Sequence, residues 1–370
     1  MVSGANDTVT VSDLLRRMVD AQASDLHMKA GAPPVLRVHG SLVPQDLPDL
    51  TVEAVKAAFT QVTTPTQQES FDREKELDFS YGADGIGRFR VNVSLQRGSI
   101  ALAFRLVRTD IPTLEELHLP EVCRSVVLKP RGLVLVTGPT GCGKSTTLAA
   151  MIGHLNELER RHIVTIEDPI EYVHQNKRSF ISQRELGPDT NSFASALKHV
   201  LRQDPDVILV GEMRDLETVA AALTAAETGH LVLATLHTPS AAQTIDRIID
   251  SFPPYHQQQI KVQLSTVLEV VLCQTLVPRA DGAGRVAAVE VMVATSAVRN
   301  LIREGKTFQI PNVIQTGSQH GMQTLDQALA ALCRANMVTP DEALARCANP
   351  EEFKRALEST GAELRTTLVR

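Results

Sequence analysis

Short apolar runs of strand length punctuate the carboxyl-terminal part of the chain: Leu133-Val134-Leu135-Val136, His162 to Ile166, Val207 to Val210 and Leu231 to Leu236. Continuous apolar character over four to six residues, rich in β-branched side chains, predicts buried strands. Between them, Ser145 to Glu159, Ser192 to Arg202 and Glu217 to Thr228 are free of proline and are expected as helices. Strands alternating with helices predict an α/β architecture for this part.

The amino-terminal part is patterned differently. Val11 to Ala21 is expected as a helix with Ser12 as its N-cap. Ser24 to Met28 and Val35 to Val38 read as strands around the turn Gly31-Ala32-Pro33-Pro34, and Thr51 to Gln61 and Thr64 to Phe71 as helices. After Gly87, every second residue of Arg88 to Leu95 is apolar, which places Arg88, Arg90, Asn92 and Ser94 on one face. Beyond the turn at Arg97-Gly98, Ile100, Leu102, Phe104 and Leu106 repeat the pattern with Arg105 on the polar face. This predicts a β-hairpin with one face on a core and arginines on the other. The arginine face suits either solvent or a nucleotide bound by a neighbouring subunit, and the pattern leaves both open.

Thr113 and Glu116 have capping-box spacing and, with Pro120 and Pro130, mark a connecting segment; the domain boundary is expected near residues 108–115. Beyond the last strand run the chain reads as mostly helical, including Met322 to Met337 and Thr339 to Glu358, with Leu325, Leu329 and Leu332 as core.

Chemistry enters at Gly138-Pro139-Thr140-Gly141-Cys142-Gly143-Lys144-Ser145. This is G-x-x-x-x-G-K-[ST], placed between an apolar strand and a helix. The glycines let backbone N–H groups converge on phosphate oxygens, and the helix N-terminus adds partial positive charge. Lys144 is placed to reach the β- and γ-phosphates and the Ser145 hydroxyl to ligate Mg²⁺; the eight residues and Thr146 are the candidate ATP contacts.

Two strand ends carry carboxylates. Glu167, Asp168 and Glu171 follow the run His162 to Ile166, and Glu212 follows Asp206-Val207-Ile208-Leu209-Val210-Gly211. Strand ends beside a phosphate loop are where open α/β sheets bind ligands. Glu212 is the candidate general base for an attacking water, although Gly211 stands where many such enzymes carry a metal-associated aspartate. His230 and His237 bracket Leu231 to Leu236 and suit either γ-phosphate sensing or an intersubunit contact.

Composition narrows the setting. With 370 residues and 43% hydrophobic side chains, two or three domains with real cores are expected. The best apolar run, Val267 to Val277, contains Glu269 and Gln274 and falls short of the roughly 18 residues of a membrane span. Met1 to Arg17 lacks the basic-then-apolar order of a signal peptide, and five scattered cysteines do not form a disulfide framework, so a reduced, cytoplasmic setting is expected. A net charge of −6, with no tryptophan, speaks against a nucleic-acid motor.

Four boxes stand in order: Gly138 to Ser145, Ile166 to Glu171, Leu209 to Asp215, and Thr228-Gly229-His230. Together they resemble the secretion-superfamily hexameric ATPases, and among these the type IV pilus retraction motors, the PilT/PilU family. The similarity runs nearly end to end, through Ala23-Ser24-Asp25-Leu26-His27 and Gly87 to Asn92 to Ala297 to Glu304, which is similar to the family's carboxyl-terminal signature. Cys142 and Val298 are mild variations on it. Assembly and type II secretion ATPases carry a four-cysteine zinc element and extra amino-terminal domains; here no C-x-x-C occurs and Cys273 is alone in the corresponding region.

The resemblance implies a PAS-like α+β domain over residues 1–110, a linker over 111–120, and a RecA-like P-loop domain with carboxyl-terminal helices over 121–370. It implies an Mg²⁺-dependent ATPase, a homohexamer with ATP between subunits, and Arg90, Arg97 and Arg105 acting in trans. Glu212 becomes the Walker B acid, Glu167 assists near metal and water, and both reach the metal through water. The implied partners are an inner-membrane pilus platform protein and a paralogous retraction ATPase, at the cytoplasmic base of the pilus. The rival readings are a pilus assembly or secretion ATPase, a nucleic-acid-translocating RecA-like ATPase, and a nucleotide-binding regulatory module with negligible hydrolysis.

Overall fold

The computed structural model describes residues 10–358. Part of the stretch on which the signal-peptide reading rests lies outside the described residues. The chain divides into two compact units, Met1–Arg108 and Thr109–Arg370.

The first unit runs α1 (Val11–Asp20), β1 (Ala23–Lys29), β2 (Val35–Val38), β3 (Ser41–Pro44), α2 (Val52–Val62), α3 (Pro65–Glu74), β4 (Glu76–Ala83), β5 (Gly87–Gln96) and β6 (Ser99–Leu106). Its six strands pair antiparallel in the order β3-β2-β1-β6-β5-β4. Phe89, Val91 and Val93 of β5 and Leu102 and Phe104 of β6 are buried with Leu14, Leu15, Met18 and Phe59 of the helices. Arg90 and Arg105 stay exposed, as the alternation requires.

The N-cap of α1 is Thr10, not Ser12. Thr10 Oγ1 accepts the Asp13 N–H at 3.2 Å, and the Asp13 carboxylate accepts the Thr10 N–H at 3.1 Å. Ser12 has Leu15 three residues on, which cannot return the bond. Strands β3 and β4 carry little signal of their own, because β3 is exposed along its length and β4 buries only Phe79 and Ala83.

The second unit contains α4 (Val122–Val127), β7 (Gly132–Thr137), α5 (Lys144–Leu158), β8 (His162–Glu167), β9 (Phe180–Glu185), α6 (Phe193–Val200), β10 (Val207–Val210) and α7 (Leu216–Glu227). It continues with β11 (Leu231–Leu236), α8 (Ala241–Asp250), α9 (Pro254–Val267), β12 (Leu268–Pro278), β13 (Arg285–Val293), α10 (Ser296–Glu304), α11 (Ile310–Thr316), α12 (Leu325–Arg334), α13 (Pro340–Leu344) and α14 (Pro350–Glu358). The sheet order is β13-β12-β7-β11-β10-β8-β9, parallel throughout except for the edge strand β13.

Both faces of this sheet are covered. Leu133 and Leu135 of β7 face one layer with α7, α8 and α9, while Val134 and Val136 face α4 and α5. That is why the central strands read as continuous apolar runs. Each fully buried Val or Leu is worth roughly 1.5–3 kcal/mol, so the sheet is a rigid support for the loops at its edge.

Among the described residues the part beyond β11 is mostly helical, as the pattern predicts, but it also carries two strands. Val267 to Val277, an apolar run too short for a membrane, is largely the strand β12, and β13 returns beside it. The pattern of a fully buried strand cannot be told from that of a buried helix by periodicity. Thr113 and Glu116 do exchange their capping bonds, at 2.8 and 3.2 Å, but only a turn follows. The helix expected from Met322 begins at Leu325 behind the N-cap Thr324, and Thr339 to Glu358 divides into α13 and α14. Arg299 of α10 donates to the carbonyls of Ser265 and Thr266 at the end of α9, at 2.7 and 2.6 Å, which satisfies acceptors a helix terminus leaves open.

Candidate active site

The phosphate loop leaves the carboxyl end of β7 and enters α5 at Lys144, with Gly143 as N-cap at φ 90°. Gly138 has φ 134°, and a Cβ there would fall 2.3 Å from the Gln274 carbonyl oxygen, so only glycine fits. Lys144 Nζ donates to the carbonyls of Gly138 and Pro139 at 2.8 and 3.1 Å. Ser145 is exposed in the first turn of α5, and Cys142 is buried, its thiol pKa pushed up by burial.

The first turns of α5 are held from two sides. The Thr146 hydroxyl meets the Tyr172 hydroxyl at 2.9 Å, and the Thr147 hydroxyl donates to Gln274 Oε1 at 2.9 Å. Gln274 Nε2 donates to the Cys142 carbonyl at 2.6 Å.

The carboxylates stand along the same edge. Sheet order makes β7, β11, β10 and β8 consecutive parallel neighbours, so the phosphate loop, His237, Glu212 and Glu167 lie at successive carboxyl ends. Gly211 is a close-approach residue: a Cβ would lie 3.1 Å from the Ile166 carbonyl oxygen and 3.2 Å from the Glu167 Cα. The strand end that carries Glu212 thus sits against the backbone of Glu167, and an aspartate at Gly211 would require that backbone to give by a few tenths of an ångström.

The two glutamates are tuned in opposite directions. Burial pushes the Glu167 carboxyl up, only partly offset by hydrogen bonds from Thr165 Oγ1 at 2.6 Å and Gln183 Nε2 at 3.2 Å. Burial also acts on Glu212, but the hydrogen bond from Arg214 and the interactions with His237 and Arg214 outweigh it and hold the carboxyl below its usual range. Arg214 Nε lies 2.7 Å and His237 Nε2 3.1 Å from Glu212 Oε1. Environments that separate two carboxyl pKa values assign different roles to the two groups.

His230 is elsewhere. It precedes β11 at the amino end, where its backbone carbonyl accepts the Gly132 N–H at 3.0 Å and its Nδ1 lies 2.9 Å from the Ala225 carbonyl oxygen. The six-residue strand between them puts it about 23 Å from His237. The histidines that bracket one run therefore occupy opposite edges of the sheet.

In the first unit, Arg90 and Arg105 are directly opposite in the β5–β6 register. Arg105 Nε lies 2.7 Å from Asp25 Oδ1, and Arg90 Nε lies 4.0 Å from Asp78 Oδ1. Arg97 sits in the hairpin turn at φ 52°, about 23 Å along β5 from Arg90.

Residues 107–344, more than half of the chain, match the family model described as Type II/IV secretion system protein. The type IV pilus retraction ATPase PilT of Pseudomonas aeruginosa is 48% identical over 343 residues, covering 93% of this chain and 99% of the relative. The chain belongs to the type IV pilus retraction ATPases. A twitching motility protein of Neisseria gonorrhoeae is 50% identical over 320 residues, covering 86% of each chain. A crystal structure of the pilus retraction motor PilT with bound ADP has a TM-score of 0.87 at 45% identity, covering 94% of this chain and 99% of that one. The mixed α/β fold, with strands and helices in both units, is that of this family.

Sequence reasoning missed Gln274, Tyr172, Gln183 and Arg214 as parts of this site. Gln274 had a signal, as a polar residue inside an apolar strand run. Arg214 had one too, two residues from Glu212 in the same box; Tyr172 and Gln183 had none, because their partners are set by how distant segments pack.

Proposed function

We propose that this chain is the subunit of a motor that hydrolyses ATP to power type IV pilus retraction, and with it twitching motility. The observation that carries the reading is one sheet edge holding the phosphate loop, His237, Glu212 and Glu167 on consecutive strands, in a chain 48% identical to a retraction ATPase over nearly its whole length.

The chemistry of the edge supports γ-phosphate transfer to water. Backbone N–H groups of Gly141 to Ser145 and the α5 N-terminus bind the phosphates, and Lys144, once it exchanges its loop carbonyls for phosphate oxygens, neutralises charge. Glu212, its carboxyl held below the usual range beside Arg214, orients and deprotonates the attacking water, and Glu167 assists near it. Among the described residues no three His, Cys, Asp or Glu side chains gather to hold an ion alone. That fits Mg²⁺, which takes few protein oxygens beside substrate phosphates; the Ser145 hydroxyl with Glu167 and Glu212 through water would hold it. Bound there, it would neutralise the β- and γ-phosphate oxygens.

We further propose a PAS-like first domain, a RecA-like second domain and a homohexamer in which Arg90 and Arg105 reach ATP on a neighbouring subunit. Their exposure on the polar face of the hairpin supports this role, and Arg97 joins them only if the hairpin tip reaches the same nucleotide. His230, at the far edge, suits an intersubunit contact. No helix among the described residues is long and apolar enough to cross a membrane. Docking at the pilus base on a membrane platform protein, beside a paralogous motor, is the arrangement we propose, with no nucleic acid involved.

The test is Lys144→Ala in the native host, with surface pili counted and surface motility scored. Pili retained or increased with motility lost are expected. Loss of pili together with motility would overturn retraction in favour of assembly.

A further inference from the structure

Gln274 is a polar side chain almost wholly enclosed, only 3% exposed, in a sheet whose buried positions are mostly apolar. Burying an amide is costly unless each of its polar atoms finds a partner. Here they do, and both partners belong to the phosphate-loop segment: Oε1 accepts from Thr147 Oγ1 and Nε2 donates to the Cys142 carbonyl. The same residue's backbone carbonyl is what closes the space beside Gly138, and its amide nitrogen closes that beside Gly143, at 3.1 Å from a Cβ there. One residue of β12 therefore touches the loop at its start, its middle and its entry into the helix.

The bond to Cys142 has a directional consequence. A trans peptide is planar, with its C=O and the following N–H pointing opposite ways. Tying the Cys142 carbonyl to the buried side aims the Gly143 N–H away from the sheet, to the side where phosphates are bound.

We propose that Gln274 is a positioning residue for nucleotide phosphates: it presets the Cys142–Gly143 peptide so that the Gly143 N–H is presented to a diphosphate before binding. Glutamine is suited because it donates and accepts at once. A glutamate keeps the acceptor for Thr147 but faces the Cys142 carbonyl with a second acceptor, and a methionine of similar length offers neither bond. The role rests on the assignment of Gly138 to Ser145 as the phosphate loop, so the experiment separates the two.

The full-length protein is titrated with ADP by calorimetry, and ATP turnover is followed for KM and kcat, in wild type and in Gln274→Met, Gln274→Glu, Thr147→Val and Lys144→Ala. Gln274→Met and Gln274→Glu are expected to raise the ADP Kd and the ATP KM by roughly tenfold while kcat at saturation changes less. Thr147→Val, which loses only the bond to Oε1, is expected to shift them less. ADP affinity within twofold of wild type in both Gln274 variants, with Lys144→Ala impaired, would overturn the positioning role alone. Unchanged ADP affinity in Lys144→Ala would overturn the site itself. If Gln274→Met does not fold, Gln274→Glu decides, since it keeps the Thr147 bond and differs at the Cys142 carbonyl. A larger effect of Thr147→Val than of Gln274→Glu would mean that helix bracing, not the peptide orientation, is the function.

Discussion

Arg214 Nε and Glu212 Oε1 lie 2.7 Å apart, so the candidate catalytic carboxylate carries its own cation two residues along the chain. The guanidinium is largely exposed, and its hydrogen bond holds Glu212 below the usual carboxyl range. Removing it lets the pKa rise. Arg214→Ala is therefore expected to move the acid limb of the kcat/KM–pH profile to higher pH, because ionised Glu212 is then lost earlier on acidification. An unmoved limb would show that another group sets it.

Glu212→Gln keeps the shape and removes the charge. Turnover is expected to fall by about 10²–10⁴-fold, the usual span for an acid–base group, with ADP affinity kept. Parallel loss of affinity would mean that Glu212 serves binding.

Glu167 has the opposite linkage. Its carboxyl is raised from 4.5 by burial, so the folded state is favoured with the group protonated and loses stability as pH rises from that value through the raised pKa. Glu167→Gln, whose amide oxygen still accepts from Thr165 and Gln183, is expected to melt above wild type near neutral pH. The gain should vanish below pH 4.5. It should come with lower ATPase activity, the usual trade between stability and a strained site.

Arg90 and Arg105 form a like-charged cross-strand pair, which is unfavourable unless compensated. Asp25 supplies the compensation: burial opposes its ionisation, but the Ser24 hydroxyl and Arg105 outweigh burial and lower its pKa. Asp25→Ala is expected to destabilise the protein by about 1–3 kcal/mol in urea unfolding at neutral pH. The lowered pKa means this contribution is present above 3.8 and fades as pH falls through the folded value. For turnover, Arg90→Ala and Arg105→Ala are each expected to lose about 10³-fold or more, with ADP binding kept. Arg97→Ala, at the hairpin tip, is expected to lose far less. Equal losses for all three would place the tip at the nucleotide as well.

Gly211→Asp installs the residue that many P-loop enzymes carry. A Cβ already meets the Ile166 carbonyl oxygen and the Glu167 Cα, so the variant is expected to be destabilised by about 1–3 kcal/mol, read from its thermal midpoint, and to gain no activity.

The chain's own order determined a good deal. Strand runs, capped helices, the alternating hairpin and the phosphate loop are written in residues within a few positions of one another, where backbone sterics and side-chain period act directly. Lys144, Glu167 and Glu212 were legible because each ends or follows a strand run. Tertiary structure decided which of those ends share an edge. His230 and His237 look alike in sequence, yet strand direction sends them to opposite sides of the sheet. Gln274 lies more than a hundred residues from the loop it holds and becomes its neighbour only because β12 pairs with β7. A continuous apolar run states that a strand is buried; it does not state beside what. That choice is made by contacts between distant segments competing for one core, and no local pattern records its outcome.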